Sequence, residues 1–332
     1  MPREKRPEIQ FILSVDTEEE FDWGEGFPQQ NCSIENIKQI PAFQAFCDQL
    51  GVRPTYLIDY PVAQDLQAAA VFRGFVQQGK AEVGAHLHPW CNPPLTEENG
   101  EYESHIIHLP GDLIRSKLKV LTDAIYTNIG IAPTCFRTGR WGTDAKVIQA
   151  LLDAQFLVDS SVIPLYENPY FSFLDSPNQP YWPDLDDPLA EGAQRELLEI
   201  PVSSGFTRSN YIFWRKLHKT FSGKRLRHLH LIGLLCRLKL VKKVYLSPEL
   251  ANTSDMKALV GAEIRNKNTV IHMFFHSSSL ITSTNGYSQS DSDVVRLYQR
   301  IREVVLYLRE NANVTFCTIS ECMKGANKYV DG

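Results

Sequence analysis

The sequence predicts an α/β fold: a (β/α) barrel, complete or distorted, of seven or eight strands, with an open doubly wound sheet as the alternative. Three observations carry the expectation. Short apolar or β-branched runs alternate with amphipathic stretches. The 332 residues suffice to bury a large core, as one α/β domain or two smaller ones, and a single domain over 1–332 is expected. The residues with reactive side chains fall at the C-terminal ends of the expected strands, where both architectures collect their chemistry.

The strand candidates are Ile9–Asp16, Pro54–Ile58, Ala81–His88, Thr134–Thr138, Phe156–Ser160, Leu197–Val202, Thr269–His276 and Val314–Ile319. Helices are expected between most of them. Ser33 can cap one that runs to about Leu50 and stops at Gly51. Tyr60-Pro61 opens another, ended by Gly79. A third follows Asp112, with Ile114, Leu118, Leu121 and Ile125 at helical spacing. The last carries one apolar stripe: Val294, Leu297, Tyr298, Ile301, Val304, Val305 and Leu308.

Two regions interrupt this alternation. Pro164–Gly192 is rich in Pro, Asp and aromatic residues and reads as a long loop. Its Tyr166, Tyr170, Phe171, Phe173, Tyr181 and Trp182 suit either a carbohydrate-stacking wall or an excursion packed over the barrel. The second is a basic helical insertion at 203–248. From Ile200 to Pro248 there are eleven Lys and Arg and no Asp or Glu. Interleaved with Leu, Ile, Phe and Trp, they suit an anionic membrane surface or anionic ligand, or else a solvated helical face.

Composition narrows the classes. A net charge of −5 argues against a generic nucleic-acid binder. Residues 1–8 are polar with two prolines, unlike a secretory signal, and no apolar run is long enough for a membrane span. Seven scattered cysteines without a Cys-x-x-Cys fit reduced thiols. The expected location is cytoplasmic, with association at the inner membrane face through the basic tract.

The chemistry centres on Gly84-Ala85-His86-Leu87-His88-Pro89-Trp90. Residues i and i+2 of a strand share a face, so His86 and His88 can present both imidazoles to one point. Asp16 and Glu18 end the first strand with the same spacing, and one carboxylate could ligate a metal while the other accepts a proton from water. Glu19, Glu20 and Asp22 are expected as solvated loop charges. His276 ends the apolar strand Val270–His276, poised to protonate a leaving group, with His272 deeper on the same side. Arg137 could hold a catalytic carboxylate ionised and Asp159 could orient His276; each has the alternative of a structural ion pair.

These residues, in this order, resemble the motifs of NodB-type polysaccharide deacetylases. Ser14-Val15-Asp16-Thr17-Glu18 stands at the first motif, His86 and His88 at the second, and Phe136-Arg137-Thr138-Gly139-Arg140-Trp141-Gly142 at the third. Asp159-Ser160-Ser161 matches the fourth and His276 the fifth. The wording His-Leu-His-Pro-Trp with Phe-His-Ser-Ser-Ser-Leu is most similar to the WalW branch, tied to lipopolysaccharide biosynthesis. The resemblance spans about Ile9 to Thr282. It implies a distorted barrel, one divalent metal (zinc first, then Mn, Co, Ni or Fe), and hydrolysis of an N-acetyl or O-acetyl group on a sugar, free, lipid-linked or nucleotide-linked. By that analogy Asp16 is the base, His276 the acid, and Glu18, His86 and His88 hold the metal. Arg137 would tether Asp16, Asp159 would tune His276, and Trp90, Trp141 and Trp182 would contact the sugar. Two departures stand out: Thr17 occupies the family's usual metal-carboxylate slot, and Trp90 the usual second-histidine slot. The alternatives are hydrolysis of another C–N bond and a carbohydrate-binding remnant.

Overall fold

In the computed structural model, which describes residues 6–20, 26–222, 241–282 and 287–326, ten strands form. They are β1 (Glu8–Thr17), β2 (Thr55–Ile58), β3 (Glu82–Leu87), β4 (Cys135–Thr138), β5 (Val158–Asp159), β6 (Leu198–Glu199), β7 (Ser204–Phe206), β8 (Lys243–Tyr245), β9 (Val270–His276) and β10 (Asn313–Phe316). Eight of them overlap the expected strands and make one parallel sheet, in the order β10-β1-β2-β3-β4-β5-β6 with β9 against β1. β9 follows one edge of β1 from Gln10↔Val270 to Asp16↔His276. The other edge is shared: β10 pairs with its first residues and β2 with its last.

The sheet curls into a distorted (β/α) barrel. Between β6 and β9 the wall is irregular backbone. Ser203 N–H donates to the His272 carbonyl at 2.9 Å, and Phe274 N–H donates to the Leu246 carbonyl at 3.2 Å. The antiparallel pair β7–β8 lies beside this seam and was not expected from sequence.

Two-residue alternation divides the strands into faces. Phe11, Leu13, Val15, Tyr56, Val83, Ala85, Leu87 and Phe136 pack outward into the main core, which includes the buried stripe Leu297, Ile301, Val304, Val305 and Leu308 of the helix Asp291–Asn311. Ile12, Leu57, Cys135, Val158, Leu198 and Ile200 fill the barrel interior. Gly84 sits on that inner face because a Cβ there would lie 2.5 Å from Cys135 Sγ and 2.6 Å from Leu57 Cδ2.

Helix ends differ from expectation in two places. Ser33 does not cap a helix; its hydroxyl donates to Glu20 Oε2, and a short 3₁₀ turn at Glu35–Gln39 leads into the helix Ile40–Gln49. The helix opened by Tyr60 breaks at Asp65, whose carboxylate accepts from Gln67 N–H and Ala68 N–H and so restarts it as Leu66–Gln77. Much of the aromatic loop packs on the barrel. Phe173, Tyr181 and Trp182 are buried, while Tyr166 and Asn168 border a cavity.

Of the basic insertion, β7, the helix Tyr211–Ser222 and β8 are described. Lys224, Arg225, Arg227, Arg237 and Lys239 lie outside the described residues. No helix among the described residues is long and apolar enough to cross a membrane.

Candidate active site

Parallel register brings the strand ends together. Asp16 pairs with His276 across β1–β9, and His86 with Arg137 across β3–β4. Asp16, His86 and Arg137 share the inner face with the barrel-filling residues, because each lies an even number of positions from one of them.

Glu18, His86 and His88 converge, with their ligand atoms within 4.8 Å of one another. Glu18 Oε2 lies 3.1 Å from His86 Nε2 and 3.2 Å from His88 Nε2. All three side chains are buried, and His88 Nε2 has no hydrogen-bond partner. A buried ring nitrogen with no hydrogen-bond partner is costly unless something fills the position. Two imidazoles and a carboxylate are the donor set of a catalytic zinc site, so these residues fit the divalent cation that the sequence implies.

Behind His88 stands a hydrogen-bonded collar. Its Nδ1 lies 2.8 Å from Glu19 Oε2, and Glu19 Oε1 accepts from Trp90 Nε1 at 2.8 Å. Cys91 Sγ is 3.5 Å from the same oxygen, and Glu19 N–H donates to Asp59 Oδ2 at 2.8 Å. Burial works to raise the Glu19 carboxyl, but His88 and the bond to Asp59 outweigh it and hold Glu19 down at about 2. Burial and then Glu19 push Asp59 well above the usual carboxylate range, so Asp59 carries the proton between them. Glu19, Asp59, His88 and Cys91 also lie within 4.8 Å of one another. Glu19 is already saturated by these donors, however, and its effect is to fix the His88 ring with Nε2 turned to Glu18. Glu19 is therefore a buried positioning group, contrary to the expectation of a solvated loop charge. Glu20 is likewise engaged, accepting from Asn36 N–H at 2.6 Å, and Asp22 lies outside the described residues.

Asp16 is held by Arg137, with Nη1 2.5 Å from Oδ1. Arg137 is itself fully buried. Its Nε donates to the Ser160 carbonyl at 2.8 Å and its Nη2 to Ser160 Oγ at 3.0 Å. His272 sits deeper, as expected. Its Nε2 is 2.8 Å from Ser14 Oγ, and burial followed by Arg137 holds it well below the usual histidine range, so it is neutral.

His276 Nε2 is 3.9 Å from Asp16 Oδ2, with the Tyr287 ring stacked 5.3 Å from its own. The carboxylate that orients it is Glu249, not Asp159. Glu249 Oε2 lies 2.9 Å from His276 Nδ1, while Oε1 accepts from His276 N–H at 2.8 Å and from Ser279 Oγ. Burial works to lower the His276 pKa, but Glu249, Glu18 and Asp16 outweigh it and push it up to about 10. Asp159 is elsewhere for a simple reason: Val158 occupies the inner face of β5, so the next residue faces out. There Asp159 pairs with Glu199 and accepts from Ser161 Oγ at 2.5 Å. Burial pushes Asp159 up to about 6, and burial with the Asp159 charge pushes Glu199 well above the usual range. Sequence reasoning missed Glu249. Its one signal was being the first acid after the acid-free stretch Ile200–Pro248.

Among the three tryptophans, Trp141 borders the cavity that holds His276, with Phe274 edge-on at 5.0 Å and the Arg137 guanidinium 5.1 Å from its ring. Its φ of +65° is unusual for a bulky residue and marks a constrained turn at the site. Trp90 and Trp182 do not line that cavity. Trp90 is buried against His88, rings 4.2 Å apart, and Trp182 is buried in the barrel interior.

No protein-family model matches the chain, and no curated protein matches it in sequence. Solved structures do match in shape. A protein of Mycobacterium smegmatis assigned as a polysaccharide deacetylase superposes with a TM-score of 0.56 at 14% identity, covering 99% of this chain and 93% of that one. A protein of Parabacteroides distasonis assigned as a glycoside hydrolase/deacetylase gives 0.61 at 11% identity, over 99% and 73%. The chain thus has the distorted barrel fold of these two proteins.

Proposed function

We propose that this protein is a metal-dependent carbohydrate deacetylase that hydrolyses an N-acetyl or O-acetyl group on a sugar. One observation carries the reading: the Glu18–His86–His88 cluster and the two charge-paired groups Asp16–Arg137 and His276–Glu249 meet at one end of the barrel. The fold shared with deacetylase-assigned proteins supports it.

Glu18, His86 and His88 hold the divalent ion, zinc by donor chemistry. When bound, such an ion polarises an acyl carbonyl and acidifies water. The chain's own groups do the proton work. Asp16, its carboxylate fixed by Arg137, accepts the proton of the attacking water. His276, kept protonated by Glu249, donates to the departing amine or hydroxyl. Trp141 supplies an apolar face for the sugar ring.

The work takes place in assembly of a cell-surface polysaccharide, in the cytoplasm, at the inner face of the membrane. The basic insertion supports that placement. On its helix, Ile212 and Phe213 are 59% and 52% exposed beside Arg215, Lys216 and Lys219. Flotation with vesicles containing about a third phosphatidylserine tests it: salt-sensitive binding is expected, and its absence would end the membrane assignment.

Acetate release from N-acetylated oligosaccharides by the purified protein tests the activity. Asp16→Asn should retain one divalent ion by elemental analysis while activity falls by about 10²–10⁴-fold. A wild-type protein without stoichiometric metal, or an Asp16→Asn enzyme as fast as wild type, would refute the assignment.

A further inference from the structure

The cavity beside His276 has a chemical bias that hydrolysis of an acetyl group does not require. It measures about 650 Å³, and the residues that line it include His105, Arg140, Trp141, Lys243, Tyr245 and His276. No Asp or Glu is among the described residues of its lining, although Glu249 and Asp16 stand behind His276, and two of the lining residues are an arginine and a lysine. Arg140 is neutralised by Glu101, Nη2 to Oε1 at 3.0 Å. Lys243 makes no ion pair among the described residues, although the Glu167 carboxylate acts on it through space: its Nζ donates to the Leu165 carbonyl at 3.0 Å and stands 5.4 Å from the Tyr245 ring centroid. An ammonium has three N–H donors, so donors remain for a ligand.

The sequence places Lys243 there by strand geometry. On β8, Val244 turns into the main core. Lys243 and Tyr245, two apart, therefore share the opposite face and both border the cavity. Lys243 is half-buried, and burial lowers its pKa against a smaller opposing effect of the Glu167 charge. Across the same cavity, His105 is buried with neither ring nitrogen hydrogen-bonded, the Glu101 carboxylate lying 3.8 Å away. Burial and then Arg140 hold His105 down at about 4, so it is a neutral ring with one donor and one acceptor to offer.

We infer that the cavity binds an acidic sugar, a glycan carrying a phosphate or a carboxylate, with Lys243 holding the anionic group and His105 a sugar hydroxyl. Lys243 is thus a specificity residue that takes no part in the proton transfers. What is done to the ligand rests on the deacetylase reading; the binding preference does not.

Calorimetry on the purified protein with its native metal content tests this with four probes: N-acetylglucosamine, N-acetylglucosamine 1-phosphate, glucuronic acid and inorganic phosphate. At least one charged sugar should bind about 10–100-fold tighter than N-acetylglucosamine, the worth of one charge-assisted hydrogen bond. The tighter of the two identifies phosphate or carboxylate as the recognised group. Lys243→Gln should abolish that preference and leave the neutral sugar's affinity unchanged; Lys243→Arg should keep it. A surface control, Lys257→Gln, should change nothing. Equal affinity for charged and neutral sugars would overturn the inference. So would a preference that survives Lys243→Gln, or inorganic phosphate binding as tightly to both proteins, which would place the anion on the metal. Absence of acetate release from every sugar would refute the deacetylase reading and leave this result standing.

Discussion

At the scale of single residues, each candidate functional group works through one partner. The His88 ring is set by Glu19, which holds its Nδ1 at 2.8 Å and leaves Nε2 facing Glu18. His276 depends likewise on Glu249, which neither lies on its strand nor belongs to the motifs that the sequence displays. Removing that anion must lower the His276 pKa, since Glu249 is the foremost of the groups that raise it. Glu249→Gln should therefore lower kcat by about 10²–10⁴-fold and move the alkaline limb of its pH profile to lower pH. A loss of rate with an unmoved limb would assign Glu249 a purely structural role. The residues legible in sequence were those with distinctive spacing, His86 and His88, Asp16 and Glu18. Glu19 and Glu249 were illegible because a carboxylate's value here is set by which ring it meets across the fold, 69 and 27 positions away along the chain.

At the scale of elements, alternation along strands decides who joins the site. β5 exposes Asp159 to the outside because Val158 takes the interior, and a motif read by order alone misassigns it. The outward pair Asp159–Glu199 then becomes a stability element. Its carboxyls are raised, Asp159 to about 6 and Glu199 higher, so the folded chain keeps protons that the unfolded chain loses near pH 4. Stability from this pair is complete below the unfolded values and is lost as pH rises through the folded ones. Glu199→Gln supplies an amide donor to Asp159 while keeping the carbonyl that accepts from Val162 N–H. Its Tm relative to wild type should climb between about pH 5 and 8, by about 2–4 °C at the top; a pH-independent difference would refute the shared proton. The β4–helix turn is equally constrained. A Cβ at Gly139 would lie 1.9 Å from His88 Cδ2 and 2.8 Å from the Leu87 carbonyl. Gly139→Ala should displace the His88 ring and weaken metal affinity by about 10–100-fold, measured by competition with a chelating dye; wild-type affinity would show that the turn yields instead.

At the scale of the whole molecule, eight parallel strands turn their C-terminal ends toward one mouth, and irregular backbone at Ser203 and Leu246 seams the sheet between β6 and β9. That seam delivers two groups which no linear motif announces, Lys243 to the cavity and Glu249 to His276. All eight strands of the parallel sheet were legible because burial on both faces demands apolar runs, and the helices because burial on one face demands a stripe. The missing cap at Ser33 and the helix break at Asp65 were not, since a cap depends on a hydrogen bond that competing partners can claim. By itself the sequence determined the barrel's strand content and the five residues Asp16, Glu18, His86, His88 and Arg137 that meet inside it, because short-range periodicity sets which face a side chain occupies. Only the tertiary structure decided that Glu249 replaces Asp159 beside His276, that Trp141 alone of three tryptophans reaches the cavity, and that Lys243 enters it. Those pairings join segments distant in sequence, and closure of the sheet, not any local preference, brings them within reach of a hydrogen bond.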